Sequence, residues 1–306
     1  MPATVMQSTD FRSIVEPILS DAFDGLYDQR ADEWRQVFVE QTNVPARAYL
    51  EDVVLYGFGV APQVPEGTAF TYDAGGVLYI YRYIYQVYGL AFALTKVLVE
   101  DGDHIQIGTT YAKHLAQSQI ETKETLCANV LNRSFNSSYK GGDGVSLVST
   151  AHPIIGGTAS NQLTTPAALS QTSLEQMLIQ VRQAIDSRGK KIRLNPMSLV
   201  VSPSNTFQAE VLLKSVLRTG AANNDINPVK SMGLLSKGQA NLSRLTSTTA
   251  WWVQTNAEDG LKLVMRRKLE RSSEPSFNTD SMRFKSSERM WPWWTDWRTV
   301  FGTAGT

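Results

Sequence analysis

Side chains able to act as acids, bases, nucleophiles or metal ligands are few in this chain, and their spacing suits none of those tasks. The three histidines, His104, His114 and His152, lack metal-ligand spacing. His104 and His114 share one helical stretch but lie too far apart to chelate one ion, and all three read as surface or loop residues. The single cysteine, Cys127, falls on the apolar side of the same stretch, where a thiol is usually inert filler. Gly233 to Gly238 has the glycine spacing of a phosphate loop, but Gln239 stands where lysine is required and no Ser or Thr follows. Glu258 and Asp259 adjoin Gly260 and mark a turn rather than an acid–base pair. There is no GxSxG, no HExxH and no paired CxxC. No catalytic, cofactor-binding or metal-binding residue is expected, and the chain is not expected to be an enzyme.

Two clusters remain. Arg266, Arg267, Lys268 and Arg271, with Lys262 nearby, oppose only Glu270 in one strand-like segment. They suit a contact to phosphate, a solvated strand face, or a partner for the acidic N-terminal arm. Trp291, Trp293, Trp294 and Trp297 suit a sugar-binding platform or packing. Indoles mostly pack, the N–H finding one acceptor, and packing against a long helix is the expectation.

That helix is the stretch from Asp103 to about Phe135, which holds no proline and one glycine, Gly108. Asp103 can cap its start. One apolar row runs Ile107, Tyr111, Leu115, Thr122, Leu126, Val130. A second runs Ala112, Ala116, Ile120, Cys127, Leu131, Phe135, about 100° around the helix. Lys113, Glu121, Lys123 and Glu124 fall mostly between or behind these rows. At about 1.5 Å per residue the helix is roughly 45–50 Å long, a spine clamped by protein along its length.

The 306 residues include 42% hydrophobic and 19% charged ones, enough for a packed core. Lys plus Arg and Asp plus Glu are 29 each, which argues against a dedicated nucleic-acid binder, though not against local basic patches. A single cysteine excludes internal disulfides and fits a reducing cytoplasm. The opening MPATVMQSTDF has neither the basic start nor the apolar run of a secretory signal. The longest apolar run, Tyr88 to Val99, is broken by Lys96 and too short to span a bilayer, so no membrane contact is expected.

Residues 1–48 read as an arm. Its acidic residues (Asp10, Glu16, Asp21, Asp24, Asp28, Asp32, Glu33, Glu40) face only four arginines, and Phe11, Ile14, Phe23, Trp34 and Phe38 are too few to form a core alone. The arm either packs as helices on the main body or lies over another subunit. From Glu51 to about Gly89 the pattern turns to two β-prone runs joined by PQVPEG. Tyr79, Tyr81, Tyr83 and Tyr85 alternate with Ile80, Arg82, Ile84 and Gln86, so both faces profit from burial. A lone hairpin is marginal in water and must lie on something: its own chain or another copy. Beyond the spine, Val145–Ser149 reads as a short strand, Leu174–Arg188 as a helix capped by Ser173 and closed by Gly189, Ile192–Val201 as a strand, then a helix from Pro203–Ser204 and a strand at Thr249–Gln254. Successive strands follow from Gly260.

The order of these parts resembles the major capsid protein of tailed bacteriophages, the Hong Kong 97-type fold, of the Mu-like and siphophage kind. The stretches that carry the resemblance are VPEGTAFTYDAGG, GVSLVSTAHPIIGG, AIDSRGKKIRLNPMSLVVSPS, NDINPV, TTAWWVQT and RFKSSERMWPWWTDWRTVFGT, and as an ordered set the resemblance covers essentially the whole chain. The resemblance implies an α+β fold with an N-terminal arm (1–48), an E-loop (49–95), a P-domain with the spine helix (96–150), an A-domain (151–255) and P-domain return strands (256–306). It implies a structural protein that forms pentamers and hexamers of an icosahedral shell around double-stranded DNA, assembled in a bacterial host's cytoplasm. Decoration, scaffold and portal proteins are then further partners, the DNA is held by weak non-specific contact, and no cofactor is needed. Trp34, Phe58, Tyr79, Tyr81, Arg82, Tyr83 and Tyr85 are the expected subunit-interface residues. The namesake shell is chained covalently through an E-loop lysine, whereas residues 51–95 here contain none, so a shell without isopeptide bonds is expected. Two other readings are an encapsulin-like compartment, which shares the fold, and a carbohydrate-acting enzyme using the tryptophans.

Overall fold

The computed structural model describes residues 8–27, 32–45, 47–95, 97–98, 104–218, 225–276 and 281–305. In chain order its elements are α1 (Ser8–Tyr27), β1 (Val39–Gln41), β2 (Tyr49–Tyr56), β3 (Gly76–Ile84), β4 (Gln86–Thr95), α2 (His104–Asn132), β5 (His152–Ile154) and β6 (Gly157–Ala159). They continue with α3 (Gln171–Arg182), β7 (Pro196–Val201), α4 (Thr206–Lys214), α5 (Pro228–Ser231), β8 (Gln239–Asn241), β9 (Trp251–Thr255), β10 (Leu261–Ser276), β11 (Ser281–Trp294) and β12 (Val300–Thr303). Two units share these elements. The first takes the described parts of Met1–Asp32, Tyr85–Leu126 and Val264–Trp291; the second takes Glu33–Ile84, Cys127–Leu263 and Pro292–Thr306.

In the first unit, β4 pairs antiparallel with β11 without a break, from Ser281 opposite Thr95 to Met290 opposite Gln86. Alternate residues of β11 turn inward, and Phe284 joins Leu19 and Phe23 of α1, Leu94 of β4, and Ala112, Leu115 and Ala116 of α2 in one apolar cluster. Each large side chain buried there contributes about 1.5–3 kcal/mol. Between Leu19 and Tyr27 the N-terminal segment is therefore a helix packed on its own chain. The side chains of Phe11 and Ile14, and Asp103 with the side chain of His104, lie outside the described residues.

The buried stripe of α2 follows the second expected row and adds Leu115 from the first. Ala112, Leu115, Ala116, Ile120, Cys127 and Leu131 are buried, whereas Tyr111 is exposed and Leu126 only half-buried. Lys123 and Glu124, expected outside the apolar rows, are buried as well. The correction has a physical cause: Lys123 Nζ lies 3.3 Å from the Glu288 carboxylate, and both Lys123 and Glu288 meet the Tyr27 hydroxyl. A buried charge is tolerable when paired and hydrogen-bonded in this way.

The second unit is built on a four-stranded sheet of order β12-β9-β7-β8, in which only β7 and β8 run parallel. β12 closes that sheet's edge, so the last residues return to the body formed by 196–255 rather than staying with the strands from 264 to 291. Helix α3 begins one turn earlier than expected, because Ser170 and not Ser173 is its cap; the two serines form a reciprocal capping box. It also stops at Arg182, short of Arg188. Asp186 accepts the backbone N–H groups of Arg188 and Lys190 at 2.8 and 2.9 Å and turns the chain there. Val145–Ser149 is not a strand.

His152, expected at the surface, is fully buried. Its Nδ1 lies 2.6 Å from Asp143, its Nε2 lies 3.1 Å from Asn161 Oδ1, and the Trp297 indole stacks on its ring at 4.4 Å. The Asn161 amide donates to the carbonyls of Leu147, Trp297 and Val300. No nucleophile faces the imidazole in this set of contacts, and the cluster pins a loop to the sheet.

Candidate assembly surface

The hairpin of β2 and β3 has two faces with opposite fates. In an antiparallel pair, residues directly opposite share a face. Leu50 opposite Tyr83, Asp52 opposite Tyr81 and Val54 opposite Tyr79 form one face; Glu51 opposite Arg82 and Val53 opposite Ile80 belong to the other. A bulge between Val54 and Leu55 then brings Val77 opposite Leu55.

The tyrosine face is sealed onto the chain's own C-terminal segment. Tyr81 stacks on Trp293 at 5.1 Å with the rings 7° apart, and Trp293 stacks on Trp294 at 5.9 Å. The Tyr79 hydroxyl donates to the Thr295 carbonyl at 3.1 Å. The loop beneath can come this close because it carries glycines: a Cβ at Gly142 would sit 2.7 Å from the Tyr79 ring, and one at Gly141 2.0 Å from Trp294.

Asp52 organises the polar part of this contact. It accepts from the Tyr83 hydroxyl at 2.8 Å, from Thr295 Oγ1 at 2.8 Å and from Lys262 Nζ at 2.7 Å. Partial burial alone would raise its carboxyl. The hydrogen bonds from Lys262 and Thr295 and the Lys262 charge outweigh that and hold it below its ordinary value of 3.8. Burial pushes the phenols of Tyr79, Tyr81 and Tyr83 far above their ordinary range, so all three stay neutral donors.

These contacts change which residues can serve a neighbour. Tyr83 is 0% exposed, and Trp34 and Tyr85 are also buried within the chain, so three of the expected interface residues have no free surface to offer. Tyr79 and Tyr81 are spent largely on Thr295 and Trp293. Phe58 and Arg82 remain exposed. The face left open is the other one: Val53, Leu55, Val77, Ile80 (56% exposed) and Ile84 all reach solvent. Its only charges cancel, since Arg82 Nη2 lies 2.6 Å from Glu51 and its guanidinium covers the Tyr49 ring. The alternation in the sequence showed both faces; it could not show which one Trp293 would occupy.

The loop from Gly57 to Gly75 extends the open surface with Phe58, Val60, Phe70 and Tyr72, the last 100% exposed. Few polar contacts hold it. Asp73 accepts from the Gly59 N–H at 2.7 Å and from Arg188 at 2.6 Å, and Lys190 donates to the Phe58 carbonyl at 2.5 Å. The Gly59 hydrogen bond, then the Arg188 charge, keep Asp73 ionised below its usual range.

The basic segment divides. Arg271 donates to Asp24 of α1 at 2.6 Å, and Arg267 pairs with Glu270 at 3.1 Å, while Lys268 is exposed. Of the tryptophans expected to pack on the spine helix, Trp293 and Trp294 serve the hairpin instead and Trp297 serves His152.

No curated protein matches its sequence. A family model described as phage capsid protein matches residues 82–301. Among solved structures, a virus-like particle from Pyrococcus furiosus aligns with a TM-score of 0.54 at 10% identity, covering 94% of this chain and 98% of that one. The capsid of Ralstonia phage GP4 gives 0.53 at 12% identity, covering 88% and 87%. The capsid of cyanophage P-SCSP1u gives 0.52 at 12% identity, covering 89% and 87%. These likenesses show the Hong Kong 97-type α+β capsid fold, and they favour neither a cargo compartment nor a sugar-acting enzyme. The family match spans most of its length, and the chain belongs to the phage capsid protein family and is a structural capsid subunit.

Proposed function

We propose that the chain assembles as pentamers and hexamers into a closed icosahedral shell around double-stranded DNA, and that the open face of the β2–β3 hairpin is the part buried against a neighbouring copy. On this reading the E-loop, expected over 49–95, is residues 49–84 with their loop, since 85–95 belong to the first unit; the body containing 151–255 is the A-domain, and the spine helix with the strands beyond it is the P-domain. One observation carries the proposal: a neutral, apolar strand pair with Val53, Leu55, Val77, Ile80 and Ile84 in solvent, continued by Phe58, Val60, Phe70 and Tyr72. Side chains of this size gain about 25 cal/mol for each Å2 of apolar surface removed from water, and copies of the same chain in a repeating shell supply the cover.

The shell is held without isopeptide bonds, because residues 51–95 contain no lysine. A denaturing gel of purified particles then shows one band at the monomer position and no ladder. Assembly takes place in the bacterial host's cytoplasm, with scaffold, portal and decoration proteins as separate partners. The proposal is tested by negative-stain imaging and sedimentation of the purified protein beside an Ile80→Asp, Ile84→Asp variant. Closed particles from the parent, and only folded free subunits from the variant, are the expected pair of results. Equal particle yield from both would remove the hairpin face from the interface.

A further inference from the structure

The loop between β2 and β3 is gripped at both ends by one turn of the second unit, residues 186–190. That turn is fixed before its side chains reach out. Asp186 accepts the backbone N–H groups of Arg188 and Lys190, its own N–H donates to the Lys190 carbonyl at 2.7 Å, and Gly189 closes the turn with a left-handed φ of +76°. The Ser187 carbonyl accepts from the Ile155 N–H at 2.8 Å and ties the turn to the end of β5. From there Arg188 Nη1 donates to Asp73 at 2.6 Å, at the end of the loop, and to the Gly57 carbonyl at 3.4 Å, at its start. Lys190 Nζ donates to the Phe58 carbonyl. Asp73 also accepts from the N–H groups of Gly59 and Ala74 at 2.7 and 2.8 Å, so the two ends of the loop are joined to each other as well as to the turn. Beyond this neck the hydrogen bonds among the described residues of the loop are local, from Thr68 to the Pro65 carbonyl.

We propose that the 186–190 turn is a positioning clamp: Arg188 and Lys190 hold the neck of residues 57–75 so that Phe58, Val60, Phe70 and Tyr72 are presented together to a neighbouring copy. The proposal rests on the reading of this loop as a surface buried on assembly, and adds what sets its orientation. The clamp is not a cover, because all four side chains remain exposed with it closed. Its effect is preorganisation. A loop already held near its bound conformation loses little freedom on association, whereas a loose one binds in proportion to the fraction of time it spends there. Residues 57–75 belong to no strand or helix that would fix them, so that fraction depends on the neck. The Arg188 guanidinium also stands 5.7 Å from the ring of Tyr56, the last residue of β2, a cation held against a π-face where the strand gives way to the loop.

The test compares the full-length subunit with Arg188→Gln, Arg188→Glu and Arg188→Lys in two measurements. The first is the free-subunit concentration at which particles appear in sedimentation. Arg188→Gln is expected to raise it about two- to fivefold, the span of a partly exposed ion pair. Arg188→Glu, which sets a second carboxylate against Asp73, raises it further, and Arg188→Lys stays within about twofold of the parent. The second measurement is the rate of chymotrypsin cleavage after Phe58, Phe70 and Tyr72 in free subunits, which rises in the same order while the melting midpoint is unchanged. Lys191→Gln, an exposed cation beside the same turn, is the control and is expected to change neither. Equal thresholds for the parent and Arg188→Gln would overturn the proposal, as would faster cleavage with an unchanged threshold or a shift equally large in Lys191→Gln. A raised threshold with unchanged cleavage would overturn it too, and would make Arg188 a direct contact of the neighbour. Particle formation by the parent is scored separately: its failure rejects the shell reading, whereas normal particles with an unchanged threshold in Arg188→Gln reject only the clamp.

Discussion

The two faces of one hairpin, built from the same ten or so alternating positions, are put to different uses. The tyrosine face is stitched to Trp293, Thr295 and Lys262 by stacking and by a shared carboxylate, Asp52. The isoleucine face carries no charge except the self-cancelling Arg82–Glu51 pair, which lies over the Tyr49 ring. The first face fixes where the hairpin stands; the second is what it presents. Polar groups able to make directed hydrogen bonds sit where the partner is permanent. Plain aliphatic groups sit where, on our proposal, a partner arrives only on assembly.

Substitutions should separate the two faces by what they damage. The largest effect is expected from Val53→Asp with Ile80→Lys, opposite charges on directly paired positions: particle yield falls at least about tenfold, while the thermal midpoint of the free subunit hardly moves, since exposed positions tolerate change within about 0.5 kcal/mol. A sedimentation profile and a melting curve on the same preparation check both halves. Tyr83→Ala should do the reverse first, lowering subunit stability by about 3–5 kcal/mol through the cavity it leaves, as read from denaturant unfolding.

Asp52→Asn should cost about 1–3 kcal/mol by leaving buried Lys262 with only the longer, 3.4 Å contact to exposed Asp259 as a charged acceptor. It should also change the pH response. Because the Asp52 carboxyl sits below its ordinary 3.8 in the folded chain, its contribution is fully present above that value and is lost as pH falls through the folded-state value. Below about pH 4 the parent therefore loses a stabilisation that Asp52→Asn never had, and the gap between them narrows. Unfolding curves from neutral pH down to about pH 3 test the sign. The smallest effect belongs to Arg82→Met, which removes an exposed ion pair that solvent screens; a clear loss of stability would mean that this face is already engaged within the chain.

What the sequence disclosed follows from the range of the interactions. The α2 helix was legible from Ala112 to Leu131 because its apolar period is local, and its described span, His104–Asn132, lies close to the expected one. Which of its two rows lay deepest was not legible. Leu131 is fully buried and Leu126 only half, so a charge at Leu131 is the sharper disruption of the core. Lys123 reads as a surface residue until Glu288 and Tyr27 are brought to it. His152 reads as loop because Asp143 and Asn161, each nine residues away, have no periodic relation to it and Trp297 is far along the chain. Helix α3 ended early because Asp186 captures two backbone N–H groups, a competition that helical periodicity does not register. The hairpin is the clearest case. Its alternation displayed both faces, but the choice between them was made by Thr295, 216 residues from Tyr79.

The central claim is that the isoleucine face is open in the free subunit and covered in the particle. Ile80→Cys places a thiol there in a chain whose only other cysteine, Cys127, is buried. Its rate of reaction with a maleimide can be compared in dissociated subunits and in intact particles. The account predicts fast labelling of free subunits and labelling slowed at least about tenfold in particles; equal rates in the two states would contradict it.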